Sequence, residues 1–490
     1  MPSTRRLVCD APAPVPVTCG CCTQMARLVS QRVSADLARR GFLAGAAASL
    51  ASLGLPDLAA AQATQTPADP PGPVLFRNVR LFDGVALSLA DGKQVLVMGN
   101  RIAAIDAANT PPPDGARVID GRGSTLMPGL IDAHWHTLIA SLPFVTLLTA
   151  DVGYVYLAAA AEAERTLMRG FTTVRDLGGP SFALKRAVDD GTIVGPRIYP
   201  CGAMISQTGG HGDFRFRYEF PRTEQNLSYS EMLGNSAIAD GPDQVLRRVR
   251  EQLALGASQI KLAGGGGISS LYDPIDTLQF NPEEIRAAVG AAADWGTYVT
   301  VHIYTPDGIA RYVDAGVRCI EHGQLADEES VRKLVDQDVW WCLQPFLAGG
   351  GQDRPQTPDQ KQKAQMVYAG TDTAYRLAIK HGAKVAWGTD ILFAPGSTNM
   401  QSARLTAMTR WYTPAQALRS ATSDNGRLLM LSGPRNPYDG KLGVIEKGAL
   451  ADLLVVAGDP THDLSLFDDP DTNLNVIMKD GVLHKNTLPQ

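Results

Sequence analysis

Residues 256–267 read GASQIKLAGGGG. The run from Ser258 to Gly264 has strand character, yet it carries Lys261 near its end and passes straight into glycines. Lysine is seldom buried without a partner, so its presence inside an apolar strand calls for a chemical reason. A phosphate-binding loop is one candidate, but there the glycines precede the lysine, and here they follow it. Seven further segments share the strand texture: GLIDAHWH (129–136), FTTVRDL (171–177), PRIYPCG (196–202), YVTVHIY (298–304), RCIEHG (318–323), WWCLQPF (340–346) and KVAWGTD (384–390). Helical patterns such as PDQVLRRVREQLA (242–254), PEEIRAAVGAAADW (282–295) and ESVRKLVDQ (329–337) separate most of them. Eight strands alternating with helices predict an α/β fold, a parallel (β/α)8 TIM-like barrel over 127–410.

The flanks of the barrel read differently. VLFRNVRLFDG (74–84), KQVLVMGNRIAAI (93–105) and ARVIDGRGSTLM (116–127) are short alternating strands with turn residues between them. The same texture returns in KLGVIEKG (441–448), ADLLVVAGD (451–459) and NVIMKDGVL (475–483). Residues 74–126 and 411–490 are therefore expected to form one small, discontinuous β-sandwich domain from both chain ends. TQTPADPPGP (64–73) reads as a proline-rich linker.

Residues 1–63 stand apart. Arg39-Arg40 precede an apolar stretch from Gly41 to Leu55, and Ala61-Gln62-Ala63 gives a small-residue cleavage pattern. These features predict a cleavable twin-arginine-type signal and an exported protein, periplasmic or secreted. Four of the seven cysteines, Cys9, Cys19, Cys21 and Cys22, lie in that leader. The other three are scattered, which excludes a disulfide framework or an iron–sulfur motif. The formal charge of −5 argues against a nucleic-acid footprint, and the main body carries no apolar run long enough for a membrane span.

Barrel enzymes place their chemistry at the C-terminal ends of strands. Those ends carry His134 and His136, Lys261, His302, His322 and Asp390. The chain has eight histidines, and four of them fall here, more than chance placement gives. His134 and His136 are two apart, so strand alternation turns both imidazoles to one face. Imidazole and carboxylate donors are the ligands zinc prefers, with cobalt or manganese as alternatives.

The segments MPGLIDAHWH (127–136), GFTTVRDLGG (170–179), GASQIKLAGGGG, VHIY (301–304), IEHG (320–323), WGTD (387–390) and KGALADLLVVAGDP (447–460) together resemble the metal-dependent amidohydrolase superfamily. The resemblance spans essentially the whole chain beyond the leader. It implies two divalent metal ions, most simply Zn2+, bridged by Lys261 carboxylated on its ε-nitrogen by CO2. His134, His136 and Asp390 would hold one ion and His302 and His322 the other, with Asp390 as the proton carrier. Asp132 fits a role in orienting the strand end.

The loop SQTGGHGDFRFRYEF (206–220) is similar to one in the branch of Xaa-Pro dipeptidases, carboxypeptidases and ochratoxinase-type amidases. By that resemblance His211 stabilises the transition state. Tyr304 follows His302 by two and points the same way, either to meet an oxyanion or a substrate carboxylate or to pack at the barrel rim. Tyr272, after the glycine run, is a weaker substrate-binding candidate. Arg215 and Arg217 either offer a cation for a carboxylate or pack against a neighbouring subunit. The branch implies a small-molecule amide or dipeptide substrate, cleaved to release a C-terminal amino acid from N-acyl amino acids or dipeptides, ochratoxin A included. It also implies a homo-oligomer, since relatives form octamers. The alternatives are a cyclic-amide or imidazolone hydrolase of the same superfamily and a catalytically inactive metal-binding scaffold.

Overall fold

The computed structural model describes residues 72–220, 226–270, 272–348 and 357–489. The proposed signal and nearly all of the linker lie outside these residues. Five strands open the described chain: β1 (Val74–Leu81), β2 (Ala90–Met98), β3 (Arg101–Ala107), β4 (Arg117–Asp120) and β5 (Thr125–Pro128). The barrel strands follow as β6 (Leu130–Trp135), β7 (Phe171–Asp176), β8 (Arg197–Tyr199), β9 (Met204–Ser206), β10 (Ser236–Ile238), β11 (Ile260–Ala263), β12 (Val299–Ile303), β13 (Cys319–His322), β14 (Trp340–Leu343) and β15 (Val385–Trp387). Strands β16 (Leu453–Val456), β17 (Leu474–Lys479) and β18 (Val482–Asn486) close the chain. The end strands form one eight-stranded sheet, in which β16 pairs antiparallel with β5 and with β17. Residues 414–435 are short helical turns packed on the barrel, and the strands that complete the small sheet begin only at Leu453.

The (β/α)8 barrel follows from burial on both strand faces. All five residues of β12 and all four of β11 and β13 are buried, so these strands read as continuous runs rather than alternating ones. Pairing is parallel throughout, β11 to β12, β12 to β13, β13 to β14 and β14 to β15. The helices between them start on caps written in the sequence. Asn281 with Glu284 and Asp327 with Ser330 form reciprocal caps, and Pro282 sits at a helix start where its missing N–H costs nothing.

Two features of the barrel were not foreseen. The predicted third strand, 196–202, is bent at Pro200–Gly202. Its first half, β8, pairs with β7, while β9 beyond the bend pairs with β11 and with the unpredicted β10. The hydrogen-bond ladder thus runs in two arcs, and side chains suture the gaps. Gln259 Nε2 donates to Asp176 O at 3.2 Å and to Tyr199 O at 2.9 Å. On the opposite side Asn425 Nδ2 donates to Ile131 O (2.7 Å) and Trp387 O (2.8 Å), and Trp387 N–H donates back to Asn425 Oδ1 at 3.0 Å. A buried amide side chain here does the work of a missing strand pair.

The small sheet is fastened to the barrel by a buried charge cluster. Arg197 on β8 meets Asp452 at 2.7 Å and Asp480 at 2.6 Å. Replacing Arg197 by Met would leave Asp452 buried without its counter-charge, a loss of about 3–5 kcal/mol for a broken buried pair. Urea unfolding should show that loss, and the double variant Arg197→Met/Asp452→Asn should recover part of it. An Arg197→Met variant as stable as the wild type would show that the cluster does not fasten the sheet.

Candidate metal centre and substrate cavity

Strand ends bring the predicted ligands together. The Nε2 atoms of His134 and His136 lie 3.1 and 2.9 Å from the same oxygen, Asp390 Oδ1. One donor atom from each of the three falls within 4.8 Å of the others. His302 and His322 stand beside them with ring centroids 4.4 Å apart, and His322 is 4.9 Å from His134. Two of the predicted ligands sit on strained backbone: His322 has φ +75° and Asp390 φ +52°, in the left-handed region. Such strain persists where the surroundings over-determine a functional geometry.

The donor chemistry fits divalent metal. His136 Nδ1 and His322 Nδ1 are buried without a hydrogen-bond partner among the described residues. Burial, with the neighbouring positive groups, pushes His302 and His322 well below the ordinary histidine value, leaving neutral rings with lone pairs to give. Burial pushes the Asp390 carboxyl up, but His134, His136 and His322 outweigh it and hold the group ionised.

Lys261 is 2% exposed, and its Nζ has no hydrogen bond or ion pair among the described residues. The salt-bridged lysine that would explain its burial in purely structural terms is not what the fold builds. Burial lowers its pKa, which favours the neutral amine.

Behind the ligands lies a buried frame. His134 Nδ1 faces Glu321 Oε2 at 2.8 Å, and Glu321 Oε1 accepts from Arg175 Nη2 at 2.6 Å. Burial raises the Glu321 carboxyl, yet Arg175 and His134 bring it well below its usual range. A ligand histidine oriented by a carboxylate is the usual support of a metal site. Asp132 takes the orienting role expected of it. It accepts from His134 N at 3.0 Å, Thr389 N at 3.1 Å and Gln401 Nε2 at 3.0 Å, tying the first and eighth strands at the site. Glu321 and Arg175 were not singled out from the sequence. The signal was present, since TTVRD and CIEH each carry a charge inside a fully buried strand.

A cavity of about 810 Å3 opens over these residues. His211 and Tyr304 line it, together with Phe144, Phe346, Leu392 and Phe393. Tyr304 packs edge-on to His302 at 5.1 Å, and burial holds its hydroxyl protonated, well above the usual phenol value. Tyr272 is not brought to the cavity, because its hydroxyl donates to Arg215 O at 2.8 Å and its ring meets Phe220 edge-on. Arg215 is spent on Asp213 at 2.7 Å and on the Phe220 ring. Phe214 backs the wall, meeting Phe144 and Phe393 edge-on.

The glycine run serves close approach rather than left-handed turns. A Cβ at Gly264 would fall 2.4 Å from Val301, at Gly265 2.4 Å from Ile303, and at Gly266 1.8 Å from Pro274 O. At Gly267 it would lie 2.0 Å from His211 Cε1 and 2.2 Å from its Nδ1. Gly267→Ala should therefore swing the His211 ring away and lower kcat about 100-fold, the scale of a 1 Å misplacement, while metal content and melting stay near wild type. An alanine variant with full kcat would separate the glycine from His211.

Residues 125–484 match the Amidohydrolase family, and the chain belongs to it. The ochratoxinase of Aspergillus niger is 32% identical over 381 residues, covering 74% of this chain and 76% of that protein. A prolidase solved in complex with N-methylphosphonate-L-proline superposes with a TM-score of 0.78 at 31% identity, over 85% of this chain and all of that one. An imidazolonepropionase of Anaeromyxobacter sp. (strain K) is 26% identical over 404 residues, covering 76% of this chain and 86% of that protein. The chain is a hydrolase acting on amide bonds, in the ochratoxinase and Xaa-Pro dipeptidase branch of the metal-dependent amidohydrolases.

Proposed function

We propose that this enzyme releases the C-terminal amino acid from N-acyl amino acids or dipeptides, aromatic acyl amides such as ochratoxin A among them. The observation that carries the reading is the cavity itself. Its floor is the ligand cluster, and walls of Phe144, Phe346, Leu392 and Phe393 rise from it, suited to an apolar side chain or aromatic acyl group. The likeness to an ochratoxinase and a prolidase supports the same substrate class.

His134, His136 and Asp390 would hold one divalent ion, and His302, His322 and the Lys261 carbamate would complete a second site. Zinc suits this donor set. Ions there supply Lewis acidity, which polarises a carbonyl and makes water nucleophilic near neutral pH. Asp390 takes the proton of the attacking water as the new C–O bond forms. It then returns the proton to the amine nitrogen as the C–N bond breaks. Tyr304, held as the neutral phenol, donates to the carbonyl oxygen as charge develops on it. His211 meets the substrate from the loop on the other side of His302, against which its ring is stacked at 3.9 Å. The reading includes export through the leader and assembly as a homo-oligomer. No helix among the described residues is long and apolar enough to cross a membrane.

A panel of N-acyl amino acids, dipeptides and cyclic amides, followed by liquid chromatography, tests the substrate class. Release of free amino acid from the acyclic amides is the expected result. Turnover of cyclic amides alone would replace this reading with that of an imidazolone-type hydrolase.

A further inference from the structure

The mouth of the barrel carries two separate apolar walls. One joins Phe144 from the loop after the first strand, Phe214 from the loop after the third and Phe393 from the loop after the eighth. Phe144 meets Phe393 edge-on at 5.0 Å, and the Phe214 ring stands behind them at 5.7 and 5.9 Å. This wall is tied to the ligand-bearing backbone, since Phe393 N donates to Ile139 O at 2.9 Å and Asp390 N to His134 O at 2.7 Å. The other wall gathers Ile268, Tyr304 and Phe346, which follow the fourth, fifth and seventh strands. In a ring of eight strands the first faces the fifth, the eighth the fourth and the third the seventh. The two walls therefore oppose each other across the ligand cluster.

A substrate amide has a direction in this gap. In the proposed reaction Tyr304 meets its carbonyl oxygen, and Asp390 returns a proton to its nitrogen. The nitrogen then lies toward the eighth strand, and its substituent continues onto Phe144 and Phe393. Charge on that side agrees. The C-terminal carboxylate belongs to the amine half of the substrate, and Arg404, which lines the cavity, donates through Nη1 to the carbonyl of Thr389, next to Asp390.

We propose that Phe144 and Phe393, with Phe214 behind them, form the pocket for the side chain of the released amino acid, while the acyl group takes the opposite wall. The enzyme then selects apolar, above all aromatic, C-terminal residues. This rests on the amide-hydrolase reading and goes beyond it by fixing which way the substrate lies.

Kinetics on N-benzoylphenylalanine, N-benzoylalanine and N-acetylphenylalanine separate the two halves of the substrate. The wild type should favour N-benzoylphenylalanine over N-benzoylalanine about 10- to 100-fold in kcat/KM. Phe144→Ala and Phe393→Ala, in different loops, should each cut that preference about tenfold and leave the benzoyl-to-acetyl ratio within about twofold. Phe346→Ala should instead lower the benzoyl-to-acetyl ratio. A wild type without preference for phenylalanine overturns the proposal. So does a lowered benzoyl-to-acetyl ratio with an intact phenylalanine preference in Phe144→Ala and Phe393→Ala, which would show the substrate lying the other way round. Calorimetric titration with the free products, L-phenylalanine and L-alanine, reads the pocket apart from turnover. Phenylalanine should bind at least tenfold more tightly than alanine to the wild type, and the difference should vanish in Phe393→Ala; equal affinities, or no binding of either, overturn the pocket. A wild type that cleaves none of the three amides removes the amide reading, and the titration still decides the pocket.

Discussion

Asp390→Asn is expected to lower kcat on the order of 10^4-fold, the scale on which hydrolases lose turnover when a proton-handling group is removed. The substitution keeps the shape of the side chain. The backbone N–H of residue 390 still donates to His134 O, a 2.7 Å bond that joins the first and eighth strands at the site, so the fold should persist. What is lost is the anion on which His134 and His136 converge, and with it the group proposed as base for the water and acid for the leaving amine. Thermal unfolding of the metal-free variant within a few degrees of wild type, together with lost turnover, is the result that fits. Substantial residual turnover would sink the assignment of Asp390 as proton carrier.

Lys261→Met is expected to abolish turnover and to lower bound metal below two ions per chain. The same variant should leave the metal-free protein as stable as wild type or more so. The Nζ has no partner among the described residues, so its burial is a cost that a methionine of similar length removes. The pH dependence gives a separate readout. Burial lowers the folded-state pKa of Lys261 below the ordinary 10.5, so the unfolded chain binds more protons between those two values. This group makes metal-free wild-type stability rise with pH up to that ordinary value, and the Lys261→Met variant should lose this contribution to the slope. Metal analysis and chemical denaturation across pH, both on chelator-treated and reloaded protein, would show it. A variant that still binds two ions and turns over substrate would undo the bridging role.

The barrel and the convergence of His134, His136 and Asp390 at its mouth were legible because both are written in local pattern. Fully buried parallel strands are short continuous apolar runs, and a polar residue at their C-terminal end has only the barrel mouth to face. The bend in the third strand was not legible. PRIYPCG has strand character up to Pro200, and only the pairing of β8 and β9 with different neighbours reveals the break. Tyr272 was misplaced for a related reason. A loop has no period to fix which way a side chain points, and this one spends its hydroxyl on Arg215 O. Glu321 was overlooked next to His322 because alternation turns it away from the cavity. Its meaning appears only when Arg175 from another strand meets it at 2.6 Å.

The sequence alone determined that Lys261 sits in a buried strand, that four histidines and an aspartate end neighbouring strands, and that glycines follow the lysine. Those facts depend on residue type and period, which need no partner to be read. Tertiary structure decided which atoms each of these residues faces. It left Lys261 Nζ without a hydrogen bond or ion pair among the described residues, pressed His211 against the bare backbone of Gly267, and set Ser270 and Asp273 against one of its two nitrogens. The physical reason is that hydrogen-bond partners and close contacts come from segments distant in the chain, and no local pattern specifies which of them will meet.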